Sequence, residues 1–214
     1  MEMSELIEQT GVGHHAPTAP IEPATLELRA RAVAMETSKL IDQLGVGHRA
    51  PAAYRALFAM GFAAVPAALE GLRHEDASIR YHCCALLDHF LVPEALPGLI
   101  AVLRDPDPRV RQMALHTLAC DRCKEGACRP READVLPEAL RALSDDEDPH
   151  VRAMAIEVVG QYVHTNPDAE RALVAANSGD PSPAVRKKAG WYIPGGPIHA
   201  HTAPRAARKA RRRA

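Results

Sequence analysis

The chain has 214 residues, a formal net charge of −1 and only 4% aromatic residues. That length suffices for a sizeable core, and an Ala- and Leu-rich, aromatic-poor composition suits close-packed helices better than a sheet. The charge is uneven: the last ten residues, RAARKARRRA, hold six positive charges and leave the rest of the chain at −7. A basic tail on a mildly acidic body admits phosphate-bearing partners without requiring them.

From the N-terminus, MEMSELIEQ is acidic and lacks the basic and apolar regions of a signal peptide. A duplicated motif follows: LIEQTGVGHHAP (6–17) and LIDQLGVGHRAP (40–51) agree at nine of twelve positions, offset by 34. Between the copies, residues 23–44 read as one long helix, stopped by Gly45, and Pro51 opens another. A nucleotide-loop reading of Gly-Val-Gly fails because no strand precedes it and a third glycine is missing. Residues 1–49 are therefore expected to form a helical cap. The longest apolar run, residues 57–69, is 13 residues broken by Gly61 and Pro66, from which no membrane span is expected. With no secretion signal, the cysteines read as thiols or metal ligands, and the protein as cytoplasmic.

Residues 50–193 repeat. LRHEDASIRYHCCALL (72–87), LRDPDPRVRQMALHTL (103–118), LSDDEDPHVRAMAIEVV (143–159) and SGDPSPAVRKKAGWYI (178–193) each place a branched apolar residue before an arginine. These arginines, Arg80, Arg111, Arg152 and Arg186, are spaced 31, 41 and 34 residues apart. Periods of this length mean stacked helical units. Asp107-Pro108, Asp148-Pro149 and Asp180-Pro181 read as helix caps followed by first-turn prolines. Beyond the cap, Val110, Ala114, Leu115 and Leu118 share one face. A preceding helix is expected to open at Val65-Pro66, Leu96-Pro97 and Leu136-Pro137, with Leu69 and Leu72, Leu99 and Leu103, and Leu140 and Leu143 at helical spacing. Each pair has an apolar face left over, which stacking buries in a continuous core.

This pattern resembles the HEAT repeat, in the short bacterial form also seen in phycobilisome-lyase-like proteins. The resemblance covers about residues 50–193. It implies an all-α, right-handed superhelical solenoid of about four to five helical pairs, and a ladder of Asp and Arg six residues apart that fixes the stacking. The pairs are Asp105 and Arg111, Asp146 and Arg152, and Asp180 and Arg186. The first unit departs from the pattern, with His74 where the aspartate belongs. The function implied is a non-catalytic scaffold that takes a protein or peptide on its concave face. Two enzyme readings rest on the same resemblance. Phycobilin lyases share the repeat, and deoxyhypusine hydroxylase binds iron through several His-Glu pairs, of which this chain has one, His74-Glu75. No Gly-x-Ser-x-Gly elbow or His-Glu-x-x-His motif is present.

The 41-residue interval is read as holding an insertion of about ten residues between the two helices of one repeat, with Cys120, Cys123 and Cys128. His116 lies one helical turn before Cys120. His-x3-Cys-x2-Cys-x4-Cys offers three thiolates and an imidazole, a tetrahedral set suited to structural zinc, which would order a loop with little core of its own. His89, one repeat earlier, is a further possible ligand. A plain thiol loop and a Cys-x-x-Cys redox pair remain the alternatives. One of the paired cysteines Cys83 and Cys84 is expected to face the core.

Residues 194–214 read as a terminal segment ending in a disordered basic tail, with Trp191 and Tyr192 closing the core and Pro194-Gly195-Gly196 stopping the last helix. Arg205, Arg208, Lys209, Arg211, Arg212 and Arg213 give the alternative function, nucleic-acid binding through charge. No aromatic residue is interleaved among them to stack a base.

Overall fold

A computed structural model describes residues 22–119 and 130–204. The expected helices form: α1 (Pro23–Leu44), α2 (Ala50–Met60), α3 (Val65–Gly71), α4 (Ala77–His89), α5 (Leu96–Ala101), α6 (Pro108–Ala119), α7 (Glu132–Asp145), α8 (Pro149–Gly160), α9 (Pro167–Gly179) and α10 (Pro183–Gly190); a short helix not expected from the sequence, α11 (Pro197–Thr202), follows in the terminal segment. No strand occurs among the described residues. The molecule is an all-α solenoid. Its units are α3 with α4, α5 with α6, α7 with α8, and α9 with α10, preceded by α1 and α2.

The second helices pack on one another in sequence, α4 on α6, α6 on α8 and α8 on α10, while α7 packs on α9. Leu99, Leu103, Val110, Ala114, Leu115, Val135, Val151, Ile156, Leu173 and Val185 form one unbroken core with their neighbours. That continuity follows from the repeat: each pair leaves an apolar face that only the next pair can cover.

Aspartate caps begin several helices. The Asp76 carboxylate accepts from the Ser78 N–H at 2.7 Å, Asp107 from the Arg109 N–H at 2.8 Å, and Asp148 from the His150 N–H at 2.7 Å. The fourth unit differs from the sequence reading. Ser182, not Asp180, stands at the head of α10, because Asp180 takes the place that Asp105 and Asp146 hold one turn earlier.

The first helices open at Val65 and Leu96 as expected, but α7 starts at Glu132 and carries Pro137 inside it. Glu132 and Asp134 in its first turn suit the positive end of the helix dipole. That early start accommodates a proline whose missing N–H lies only just beyond the turn where donors are free anyway.

Between α2 and α3 a 3₁₀ turn, Gly61–Ala64, makes Ala50–Gly71 nearly continuous. These 22 residues, with a mean hydropathy of 1.4 in their most apolar window, are long and apolar enough to cross a membrane. The turn bridges the break that Gly61 and Pro66 make in the 13-residue run. In this fold the stretch gives Ala53, Leu57, Ala64, Val65 and Ala68 to the core and leaves Phe58 and Phe62 exposed. Gly61 sits at φ +59°, a conformation other residues adopt only under strain.

Both Cys83 and Cys84 are fully buried, where one was expected. Burial pushes the Cys83 thiol up to about 12 and raises that of Cys84 as well. Neither is a reactive thiolate near neutrality. Gly71 admits Cys83, since a Cβ there would lie 2.4 Å from its Sγ.

Candidate functional site

Two sets of residues carry chemistry. The first lies in the turns inside each helical pair. Arg80 donates from Nε to Asp105 Oδ2 at 2.6 Å and from Nη2 to Oδ1 at 2.7 Å. Arg111 makes the same fork on Asp146, at 2.7 Å twice, and Arg152 on Asp180, at 2.8 and 3.0 Å. The third guanidinium nitrogen turns inward. Nη1 of Arg111 donates to the Asp105 and Pro106 carbonyls, and Nη1 of Arg152 to those of Asp146 and Glu147. Each carboxylate also accepts a backbone N–H two residues on, from Asp107, Asp148 and Ser182.

The ladder therefore exists, but not as Asp and Arg six residues apart forming a side-chain pair. Within a unit, the arginine binds the aspartate's backbone carbonyl; its fork takes the aspartate of the next unit. Arg80 makes the first rung and was absent from the expected set. His74 stands in for the missing aspartate: its Nδ1 accepts the Asp76 N–H at 3.0 Å, and its carbonyl accepts from Arg80 Nη1. The single His-Glu pair is thus engaged in a turn.

All three rungs are buried. The hydrogen-bonded carboxylate raises each of Arg80, Arg111 and Arg152 above the usual arginine range. Burial pushes the Asp180 carboxyl up, but the Arg152 guanidinium, the Ser182 N–H and nearby arginines outweigh it and hold the group below its ordinary value. Arg186 repeats the inward half of the pattern, with Nη1 donating to the Asp180 and Pro181 carbonyls.

The second set lies at the opposite end of α6. Gln161 Nε2 donates to the Ala119 carbonyl at 2.8 Å and anchors the end of that helix beside α8. Cys120, Cys123 and Cys128 follow and lie outside the described residues, as do Arg205, Arg208, Lys209, Arg211, Arg212 and Arg213. Of the expected ligands, His116 is partly exposed on α6. The residue brought to it is Asp88 of α4, whose Oδ2 lies 3.7 Å from His116 Nε2. The Asp88 side chain is 5% exposed, and among the described residues its Oδ1 has no hydrogen-bond partner. His89 instead packs its ring edge-on against Phe58, with centroids 5.0 Å apart. Sequence reasoning missed Asp88, because nothing in ALLDHF marks which of the two adjacent polar residues turns inward. Among the described residues no three His, Cys, Asp or Glu side chains converge as a metal site.

Between α2 and the start of α4 lies a cleft of about 480 Å³, lined by Gly45, Gly47, Pro51, Tyr54, Tyr81 and His82 among others. The Gly-Val-Gly turn forms one wall of it. Beside it, Tyr81 and His82 also border a smaller cleft with Arg109 and Gln112 of α6.

Residues 65–142 match a family model described as HEAT repeats. Comparison with curated proteins gives no match.

Proposed function

We propose that this HEAT-type solenoid is a non-catalytic scaffold that binds a protein or peptide along the face made by its second helices. The observation that supports this reading is the continuous row α4, α6, α8 and α10, which leaves Tyr81 exposed and His82, Gln112 and Met154 partly so, and begins at the cleft beside Tyr54. HEAT repeats are generally interaction scaffolds, and stacked pairs make an extended surface for such partners. The test is a photo-crosslinking amino acid placed at Tyr81, Gln112 or Met154, and, for comparison, at Glu94 or Arg171 on the other side of the pairs. Crosslinks concentrated at the first three positions are expected. Equal labelling at all five, or none, overturns the reading.

A second reading is favoured by one observation, the buried Asp88 carboxylate with an unpartnered oxygen beside His116. An unsatisfied buried carboxylate calls for a counter-charge. Zinc held by His116, Cys120, Cys123 and Cys128 would supply it: His116 would ligate through Nδ1 and donate its Nε2–H to Asp88, the usual arrangement behind a metal-bound histidine. Protein purified without chelator or affinity metal is expected to hold one zinc per chain, lost in Cys123→Ser. Asp88→Asn is expected to weaken zinc binding by about 10- to 100-fold. Metal-free protein with five titratable thiols after denaturation removes this reading and leaves the scaffold untouched.

A further inference from the structure

The ladder has an open end. Three arginines each divide their guanidinium the same way, with Nη1 on carbonyls of their own turn and Nε with Nη2 on the carboxylate of the next unit. Arg186 keeps the first half. Its Nη1 is fixed to the Asp180 and Pro181 carbonyls, while among the described residues neither Nε nor Nη2 has a partner. Residues 181–214 contain no Asp or Glu side chain to make a further rung. The last helix does not cover the place either. α11 is bound at the other end of the pair, where Ile198 and His199 donate to the Trp191 carbonyl and Thr202 meets His164 at 3.0 Å. Arg186 is accordingly only partly buried, while its three counterparts are buried.

We propose that the open turn at the head of α10 is a receptor for an aspartate-bearing turn of a partner protein, with Arg186 as the fixed fork that reads the carboxylate. The chemistry is set by the three internal precedents: a planar fork, already oriented by its carbonyl bonds, takes two carboxylate oxygens at once. Pre-orientation lowers the ordering cost that makes most exposed ion pairs weak. A second copy of this chain stacked end to end fits poorly, because the first unit carries His74 where the incoming aspartate must be. Arg186 lies on α10 at the end of the second-helix row, but the crosslinking positions lie on α4, α6 and α8, so the two readings fail independently.

The test is nuclear magnetic resonance of the arginine Nε–Hε groups in the full chain. The probe is an eight-residue peptide, SDDEDPHV, which copies the natural rung turn at residues 144–151. A control peptide carries Asn in place of the Asp146 equivalent. Saturable movement of the Arg186 signal is expected, with Arg80, Arg111 and Arg152 unmoved. The control should bind about tenfold more weakly, as when a charge-assisted pair becomes neutral. In Arg186→Gln, which lacks that signal, the backbone amides of residues 180–186 should no longer move with peptide as they do in the unaltered chain. The proposal is overturned if Arg186 moves no more than exposed Arg55 and Arg73, or if the control peptide is as effective. It is also overturned if the Arg186 signal already matches the three rungs without peptide and changes on deletion of residues 1–21, since the occupant is then part of the same chain.

Discussion

Arg111→Ala is expected to destabilise the protein by about 3–5 kcal/mol, read as a lower midpoint in guanidinium unfolding. The size comes from what is left behind. Asp146, with a side chain 3% exposed, would lose both of its charge-assisted hydrogen bonds at once, and the Asp105 and Pro106 carbonyls would lose theirs. A buried carboxylate without a counter-ion costs far more than the pair contributes. Replacing both partners with apolar residues, as in Arg111→Met with Asp146→Leu, is therefore expected to cost less than either single change. A loss below about 1 kcal/mol for Arg111→Ala would class the rung with ordinary surface pairs. The ladder also sets an acid limit. Asp180 titrates below its unfolded value, so its contribution is complete above about pH 4 and is lost as pH falls through the folded value. Asp180→Asn should flatten that part of the stability curve.

The second large effect is expected in the core. Leu115→Ala should cost about 2–5 kcal/mol, since the residue is fully buried in α6 between α4 and α8, and rigid neighbours on both sides cannot collapse into the space. In a solenoid each unit touches only its neighbours. Native-state hydrogen exchange should therefore speed up most in α4, α6 and α8, and least in α1 and α10. A uniform increase along the chain would mean that the units unfold as one block.

Much of this was legible in the sequence because the repeat declares itself in residue types that serve one purpose. Val110, Ala114, Leu115 and Leu118 lie inside, as their spacing demands, and Asp107 and Asp148 cap as Asp-Pro predicts. The ladder's members were readable, but its pairing was not. Asp105 and Arg111 are six residues apart, and nearness in the chain suggested a pair. The guanidinium has three faces, and carbonyls of its own turn occupy one, so the carboxylate it binds comes from 25, 35 or 28 residues downstream. Two other features depended on tertiary context. His74 replaces an aspartate because an imidazole nitrogen accepts the same backbone N–H. Asp88 turns inward while His89 meets Phe58, a choice made by helix rotation and by no local pattern. The start of α7 was misplaced because Pro137 reads as a first-turn residue when it is not one.

The three rungs have nearly equal geometry although their arginines, Arg80, Arg111 and Arg152, stand 31 and 41 residues apart. The extra residues fall between Ala119 and Pro130, after α6 ends one pair and before α7 opens the next, and not between the two helices of one repeat as expected, whereas every rung sits in the turns within pairs. The array thus has a fixed margin and a free one. Along the first, a change of a single residue would break the register of charged partners. Along the second, whole segments can lengthen, shorten or be exchanged while the frame stays put, so new recognition loops can arise there without rebuilding the protein that carries them.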